Sequence, residues 1–198
     1  MNMSKNIEMI KKYFKEYGPI ILIALLASLI IFSDNIVDGS AFAWYNDQAF
    51  QHNVFYKEWF RIIEESINNH NLSVYSWNTF LGTDFLVSKL MYCVCDYMIT
   101  PFFVLSVLLN INFDFDVLFM VTTILSYLIS AVTMNMFLKE FGIKKQLYRN
   151  GFSLIYAFSG FAVIYSGSYM FHRFYSLLPL LFYFTDKYIE KNTILVFA

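Results

Sequence analysis

Apolar positions along this chain gather into long unbroken runs, with one stretch of helical period between the first run and the next. Tyr17 to Ser33 reads "YGPIILIALLASLIIFS", uncharged and preceded by Lys11, Lys12 and Lys15. Val117 to Leu138 is also uncharged, and matches the roughly 20 residues a helix needs to cross a bilayer. Asn150 to Phe171 carries Gly151, Gly160 and Gly167, residues more frequent in membrane helices than in soluble ones. A shorter run from Arg173 to Ile189 has Pro179 near its middle. The pattern predicts four spans, about 17–33, 117–138, 150–171 and 173–189.

From Gln48 onward the period changes. Phe50, Val54, Phe55, Trp59, Ile62 and Ile63 recur at three- and four-residue spacing, with Lys57, Glu58, Arg61, Glu64 and Glu65 elsewhere. That is an amphipathic helix, expected on a membrane surface or against neighbouring helices. Trp44, Tyr45, Phe55 and Trp59 suit the headgroup level, where aromatic rings are enriched.

Phe85 to Asn112 is apolar but interrupted by Lys89, Asp96 and Pro101. Charge decides its place. Lys5, Lys11, Lys12 and Lys15 at the start, and Lys139, Lys144, Lys145 and Arg149 after the second span, should both face the cytoplasm. An even number of crossings must separate them, and a full span at 85–112 would make three. The stretch is therefore expected outside, as juxtamembrane or re-entrant helices broken at Pro101. An external segment of 34–114 results, and Asp186, Lys187 and Lys191 return to the cytoplasm. The expected location is the bacterial cytoplasmic membrane, multi-pass, with a cytoplasmic amino terminus. A cleaved signal peptide fits less well, because "AFA" at Ala41 to Ala43 lies well beyond the first apolar run.

Composition agrees. The 198 residues are 58% hydrophobic, 21% aromatic and 15% charged, against about 25% charged in a soluble domain. With a net charge of −1, no basic stripe and no Gly-rich phosphate loop, a nucleic-acid partner is excluded. Cys93 and Cys95, one residue apart, are read as packing residues rather than a disulfide or zinc pair. Because "ILVFA" at the end opens another apolar run, residues 1–198 are expected to be the amino-terminal part of one transmembrane domain, inactive by itself.

Candidate chemistry sits in the external segment. Asp47, before the amphipathic helix, is either a carboxylate answering the helix dipole or a general base at the membrane–water boundary. Gln48 adjoins it, Gln51 would share its face one turn on, and His52 follows. Asp47 with His52 would also be two ligands for a divalent metal, too few to define a site. "NLSVYSWNTFLGTDF" follows at Asn71 to Phe85. There Trp77, Asn78 and Asp84 either form a turn packed by its own aromatics or shape a sugar site. His172 and Arg173, between the third and fourth runs, either snorkel at a helix end or hold a lipid-linked phosphate, for which Arg is geometrically suited.

These residues carry a resemblance. "DQAFQ" at Asp47 to Gln51, then "SWNTFLGTDF", "TPFFVLSVLL", "IYAFSGFAVIY" and "LLPLLF" stand in the order of the YfhO-like bacterial membrane proteins. The resemblance implies an all-α polytopic fold of the GT-C type. It implies a glycosyltransferase that takes a sugar from a polyprenyl phosphate on the outer face. The acceptor would be a cell-envelope polymer such as a teichoic acid. It also implies that an acid in the first external loop is catalytic, and the matching position is Asp47, with Asp84 and Asp96 as alternatives. A transporter or flippase of lipid-linked precursors, and a noncatalytic membrane scaffold, are the competing readings.

Overall fold

The computed structural model describes residues 3–38, 51–71, 74–78 and 82–191. Among these residues the regular structure is helical apart from one two-stranded hairpin. The elements are α1 (Met3–Ile31), α2 (Ser33–Asp38), α3 (Asn53–Asn68), β1 (Tyr75–Ser76), β2 (Thr83–Asp84), α4 (Phe85–Lys89), a π-helical turn (Leu90–Val94), α5 (Ile99–Leu108), α6 (Phe115–Glu140), α7 (Gln146–Ala157), α8 (Gly160–Ile164) and α9 (Tyr169–Lys191).

Two of these helices are long and apolar enough to cross a membrane, Ile7–Ile31 within α1 and Phe115–Glu140. The predicted span 117–138 thus lengthens by a residue or two at each end. Asp114 sets its start, its carboxylate accepting from the amides of Asp116 and Val117 at 2.8 and 3.0 Å. At its far end Gly142 has φ +90°, and the amides of Gly142 and Ile143 return to the carbonyls of Lys139 and Leu138. That closure needs a left-handed residue, which glycine supplies without strain.

The run 150–171 differs from the single helix its hydropathy predicts. It breaks after Ala157, where the Ser159 hydroxyl caps α8 by accepting from the amide of Ala162 at 3.3 Å. It breaks again across Tyr165–Ser168 before α9 begins. Hydropathy measures transfer into lipid; it does not see where a side chain replaces a backbone partner.

The stretch 85–112 is not one helix either. Phe85–Val94 and Ile99–Leu108 are bent by 106° at their junction. The break falls on Cys95–Met98 rather than at Pro101, and Asp96 causes it. Asp96 Oδ1 accepts from the amides of Met98 and Ile99, both at 2.9 Å, capping α5. Pro101 lies in the first turn of α5, where a missing amide costs nothing.

The chain divides into two compact units, one of 1–37, 124–164 and 174–198, the other of 38–123 and 165–173. In the first, Ile20, Ala24, Ala131 and Ala157 form the buried centre. Glu16 ties helices there, paired with Lys139 at 2.5 Å and Arg149 at 3.4 Å. The Tyr156 and Tyr175 rings stack at 4.3 Å, each hydroxyl donating to the other's carbonyl at 2.7 Å.

The second unit is aromatic. Phe55, Tyr56, Trp59, Phe85, Phe103, Phe119 and Tyr169 are buried together with Ile62, Ile63 and Ile99. Helix α3 packs along α5, with Phe55, Trp59, Ile62 and Ile63 inward as predicted. Val54, expected on that face, is exposed, and Tyr56 is buried instead. Trp59, expected among headgroups, is also buried. It stacks on Phe85 at 6.0 Å and donates from Nε1 to the Thr100 hydroxyl at 3.0 Å. Phe55 is likewise inside. Cys93 is buried and Cys95 exposed, both free.

Candidate functional site

The loop between β1 and β2 is built around a carboxylate. Glu58 lies on the solvent-averse side of α3, 7% exposed. Arg61, one turn on, donates to it from Nε at 3.0 Å and Nη2 at 2.6 Å. The Ser76 hydroxyl donates at 2.5 Å and the Asn78 amide nitrogen at 3.1 Å. Hydrogen bonds from Arg61, then Ser76 and Asn78, outweigh burial and hold the Glu58 carboxyl down at about 2. Ser76 Oγ also accepts from the amide of Asn78 at 3.1 Å, so the turn and its anchor share one hydroxyl.

Above this anchor stands Trp77, 76% exposed, its ring edge-on to Tyr75 with centroids 5.1 Å apart. Gly82 has φ +105°, and a Cβ there would come within 2.4 Å of the Tyr75 hydroxyl and 2.9 Å of the Trp77 ring. Only glycine lets the chain return so close beneath the indole. Asp84 then accepts from the amide of Val87 at 3.2 Å and caps α4, and Phe85 enters the core. In "SWNTFLGTDF", then, Ser76 and Asn78 reach Glu58, Gly82 fits under Trp77, Asp84 starts a helix and Phe85 anchors it.

A second polar cluster is fully enclosed. Asp96 Oδ2 accepts from the Tyr56 hydroxyl at 2.7 Å and from Arg173 Nε at 3.3 Å. Arg173 Nη1 donates to the Thr122 carbonyl at 2.9 Å, and its guanidinium lies 5.8 Å from the Tyr169 ring centroid. Burial, with the Asp96 charge second, pushes the Tyr56 phenol well above its ordinary value, so it stays a donor. Each Asp96 oxygen takes two hydrogen bonds, the condition under which a buried ion pair is tolerated.

Of the remaining candidates, Asp47 and Gln48 lie outside the described residues, as do Trp44, Tyr45 and Phe50. Gln51 is exposed. His52 is buried, its ring 5.5 Å from that of Tyr92. His172 is fully buried. The geometry thus brings Trp77 and Asn78 together on one loop, while Asp84 caps a helix and Arg173 faces Asp96. Among the described residues no group of three or more His, Cys, Asp or Glu could hold a metal.

Sequence reasoning missed two charged residues. Glu58 reads as one more polar position on an amphipathic helix, and its only signal was the nearby Arg61. Lys89 reads as an interruption. It is buried, with Nζ 4.2 Å from the Phe55 centroid and 5.5 Å from that of Tyr92, the ring that also neighbours His52.

Helices of spanning length, lipid-compatible faces and a charged, hydrogen-bonded second unit define an all-α membrane protein that sits in a lipid bilayer. The family model for the bacterial membrane protein YfhO matches residues 20–198, and the chain belongs to that family. No curated protein and no solved structure matches the chain.

Proposed function

We propose that this protein is a membrane glycosyltransferase of the GT-C type. It transfers a sugar from a polyprenyl-phosphate donor to a cell-envelope polymer, such as a teichoic acid, on the outer face of the bacterial cytoplasmic membrane. The amino terminus is cytoplasmic, and 34–114 forms the external segment. Family membership supports the reading, and the observation that carries it is the loop from Tyr75 to Phe85. A buried carboxylate there fixes an exposed indole face beside an amide that both donates and accepts. Few but fixed polar groups beside an aromatic surface are how small-molecule sites set orientation.

Asp47 is the general base in this reading, removing the proton of the acceptor hydroxyl as it attacks the anomeric carbon. The lipid phosphate leaves with the bonding electron pair. Asp47 stands ahead of the two alternative acids on physical grounds. Asp96 already accepts four hydrogen bonds, one from a buried cation, and Asp84 holds a helix start. Arg173, facing Asp96, supports the fold, which leaves another cation to meet the departing phosphate. Gln48, Gln51 and His52 lie close to Asp47 in the chain and serve as donor or acceptor contacts.

The test is Asp47→Asn in the full-length protein. Asn is nearly isosteric and keeps capping ability but cannot take a proton. Transfer should fall by roughly 10² to 10⁴ with expression and thermal stability unchanged. Normal transfer by this variant would return Asp47 to a capping role. Movement of lipid-linked sugar with no new glycosidic bond would replace the transferase with a flippase.

A further inference from the structure

The second unit holds a cleft of about 210 Å³ at the ends of α3 and α5. Its floor is three rings packed on one another. Phe60 stands edge-on to Phe113 at 5.2 Å and to Phe115 at 5.8 Å, and Phe113 lies 5.0 Å from Phe115. All three are half-buried, so part of the aromatic surface stays open. The rim is polar and exposed: Glu64 and Asn68 from successive turns of α3, and Asn112 beyond α5.

The rim is held by two helix endings of the same kind. His70 and Asn110 both take the left-handed conformation, at φ 51° and 53°. The amides of Asn71 and Ile111 bond back to the carbonyls of Ser66 and Ser106, at 3.2 and 2.8 Å. These closures fix the backbone on which Asn68, Asn110 and Asn112 ride. Glu64 is left for the cleft, because Arg61 is engaged by Glu58 and Glu65. Among the described residues the side chains of Glu64, Asn68 and Asn112 have no hydrogen-bond or ion-pair partner.

Charge and size narrow the ligand. Two helix C-termini and a carboxylate make the cleft electronegative; no Lys or Arg lines it, and the Lys57 ammonium that stands 5.7 Å from the Phe115 centroid is engaged with that ring. A phosphate is therefore disfavoured. Hydroxyl donors are favoured, since a carboxylate only accepts while amides do both. The volume is below the 300–1,000 Å³ of sites for drug-sized ligands, room for one ring rather than a chain. We infer that this cleft binds a single uncharged sugar ring, its C–H face on the phenylalanines and its hydroxyls on Glu64, Asn68 and Asn112. In a glycosyltransferase it would be a subsite for a sugar unit of the acceptor, separate from the Trp77–Asn78 loop. That assignment rests on the proposed function; the binding itself rests on the cleft.

The experiment reads binding rather than turnover, so it stands whether or not transfer is ever observed. The full-length protein in nanodiscs is titrated with methyl glycosides of glucose, galactose and N-acetylglucosamine, followed by saturation-transfer NMR. At least one should bind saturably, and glycerol phosphate should not compete. Glu64→Ala and Asn112→Ala, both at exposed positions, should each weaken binding about fivefold, the loss of one ordinary hydrogen bond. No saturable signal from any of the three glycosides, equal competition by glycerol phosphate, or full affinity in both cleft variants would overturn the inference. To guard against a folding artefact, both variants are checked for wild-type thermal unfolding. If either unfolds early, Glu64→Met, which keeps the length but has no oxygen to accept a hydrogen bond, replaces Glu64→Ala, and unchanged affinity there has the same meaning.

Discussion

The two units of this chain are held together by different chemistry. In the first, the buried side of α6 reads Ser126, Tyr127, Ser130, Ala131, Thr133, Asn135 and Leu138. Small residues pack there beside the Tyr127 ring, which stacks on Phe158 at 4.9 Å, and polar groups cross between helices. Thr133 donates to the Ser176 carbonyl at 2.8 Å and Asn135 to the Asn150 side chain at 2.9 Å. In the second, burial falls on Phe, Trp, Tyr and Ile, with rings meeting edge-on and stacked. Lipid tails are as apolar as leucine, so helices in a bilayer gain little from burying large side chains. They associate instead through close approach and hydrogen bonds. A core of aromatic rings gains most where the alternative is water. Side chains alone thus set the two units apart.

The largest expected effects test the aromatic side. Trp59→Ala or Phe85→Ala should cost about 3–5 kcal/mol, measured by denaturant unfolding of the detergent-solubilised protein. A small loss would show that the second unit does not depend on its aromatic core. Comparable in size is Asp96→Ala, which strands the buried Arg173 and should also cost about 3–5 kcal/mol. The double variant Asp96→Ala/Arg173→Met should be more stable than Asp96→Ala alone. Equal or lower stability would mean that the pair contributes more than mutual neutralisation.

A middle-sized effect lies at the loop anchor. Glu58→Ala removes the acceptor for Ser76 and Asn78 and should cost about 1–3 kcal/mol, with faster hydrogen exchange across Tyr75–Phe85. The pH sign follows from the depressed carboxyl. Its folded value near 2 lies below the roughly 4.3 of a free Glu. Its contribution is therefore whole above about pH 4.3 and is lost as pH falls toward 2. Glu58→Gln should flatten that acid limb of stability against pH. An unchanged limb would place the acid sensitivity elsewhere. The smallest effect belongs to the first unit. Thr133→Val deletes one interhelical hydrogen bond and should cost about 0.6 kcal/mol; a loss as large as that of Trp59→Ala would erase the contrast between the units.

What is local can be read along the sequence. An uncharged run at 117–138 predicts α6 almost to its ends, because hydropathy and length act residue by residue. The three-and-four spacing places Phe55, Trp59, Ile62 and Ile63 on one face of α3. The lipid setting follows from composition. The meaning of the polar residues comes from the folded arrangement. Glu58 meets Asn78 across 20 residues and Arg173 meets Asp96 across 77, and no periodicity reports such a meeting. The turn before α5 looked like the work of Pro101, yet Asp96 makes it, since a carboxylate can cap a helix only where the fold aims it at free amides. Apolar burial is additive and non-directional, so a sequence shows it. Hydrogen bonds and ion pairs need two partners at a set distance and angle, and only the folded chain brings them there.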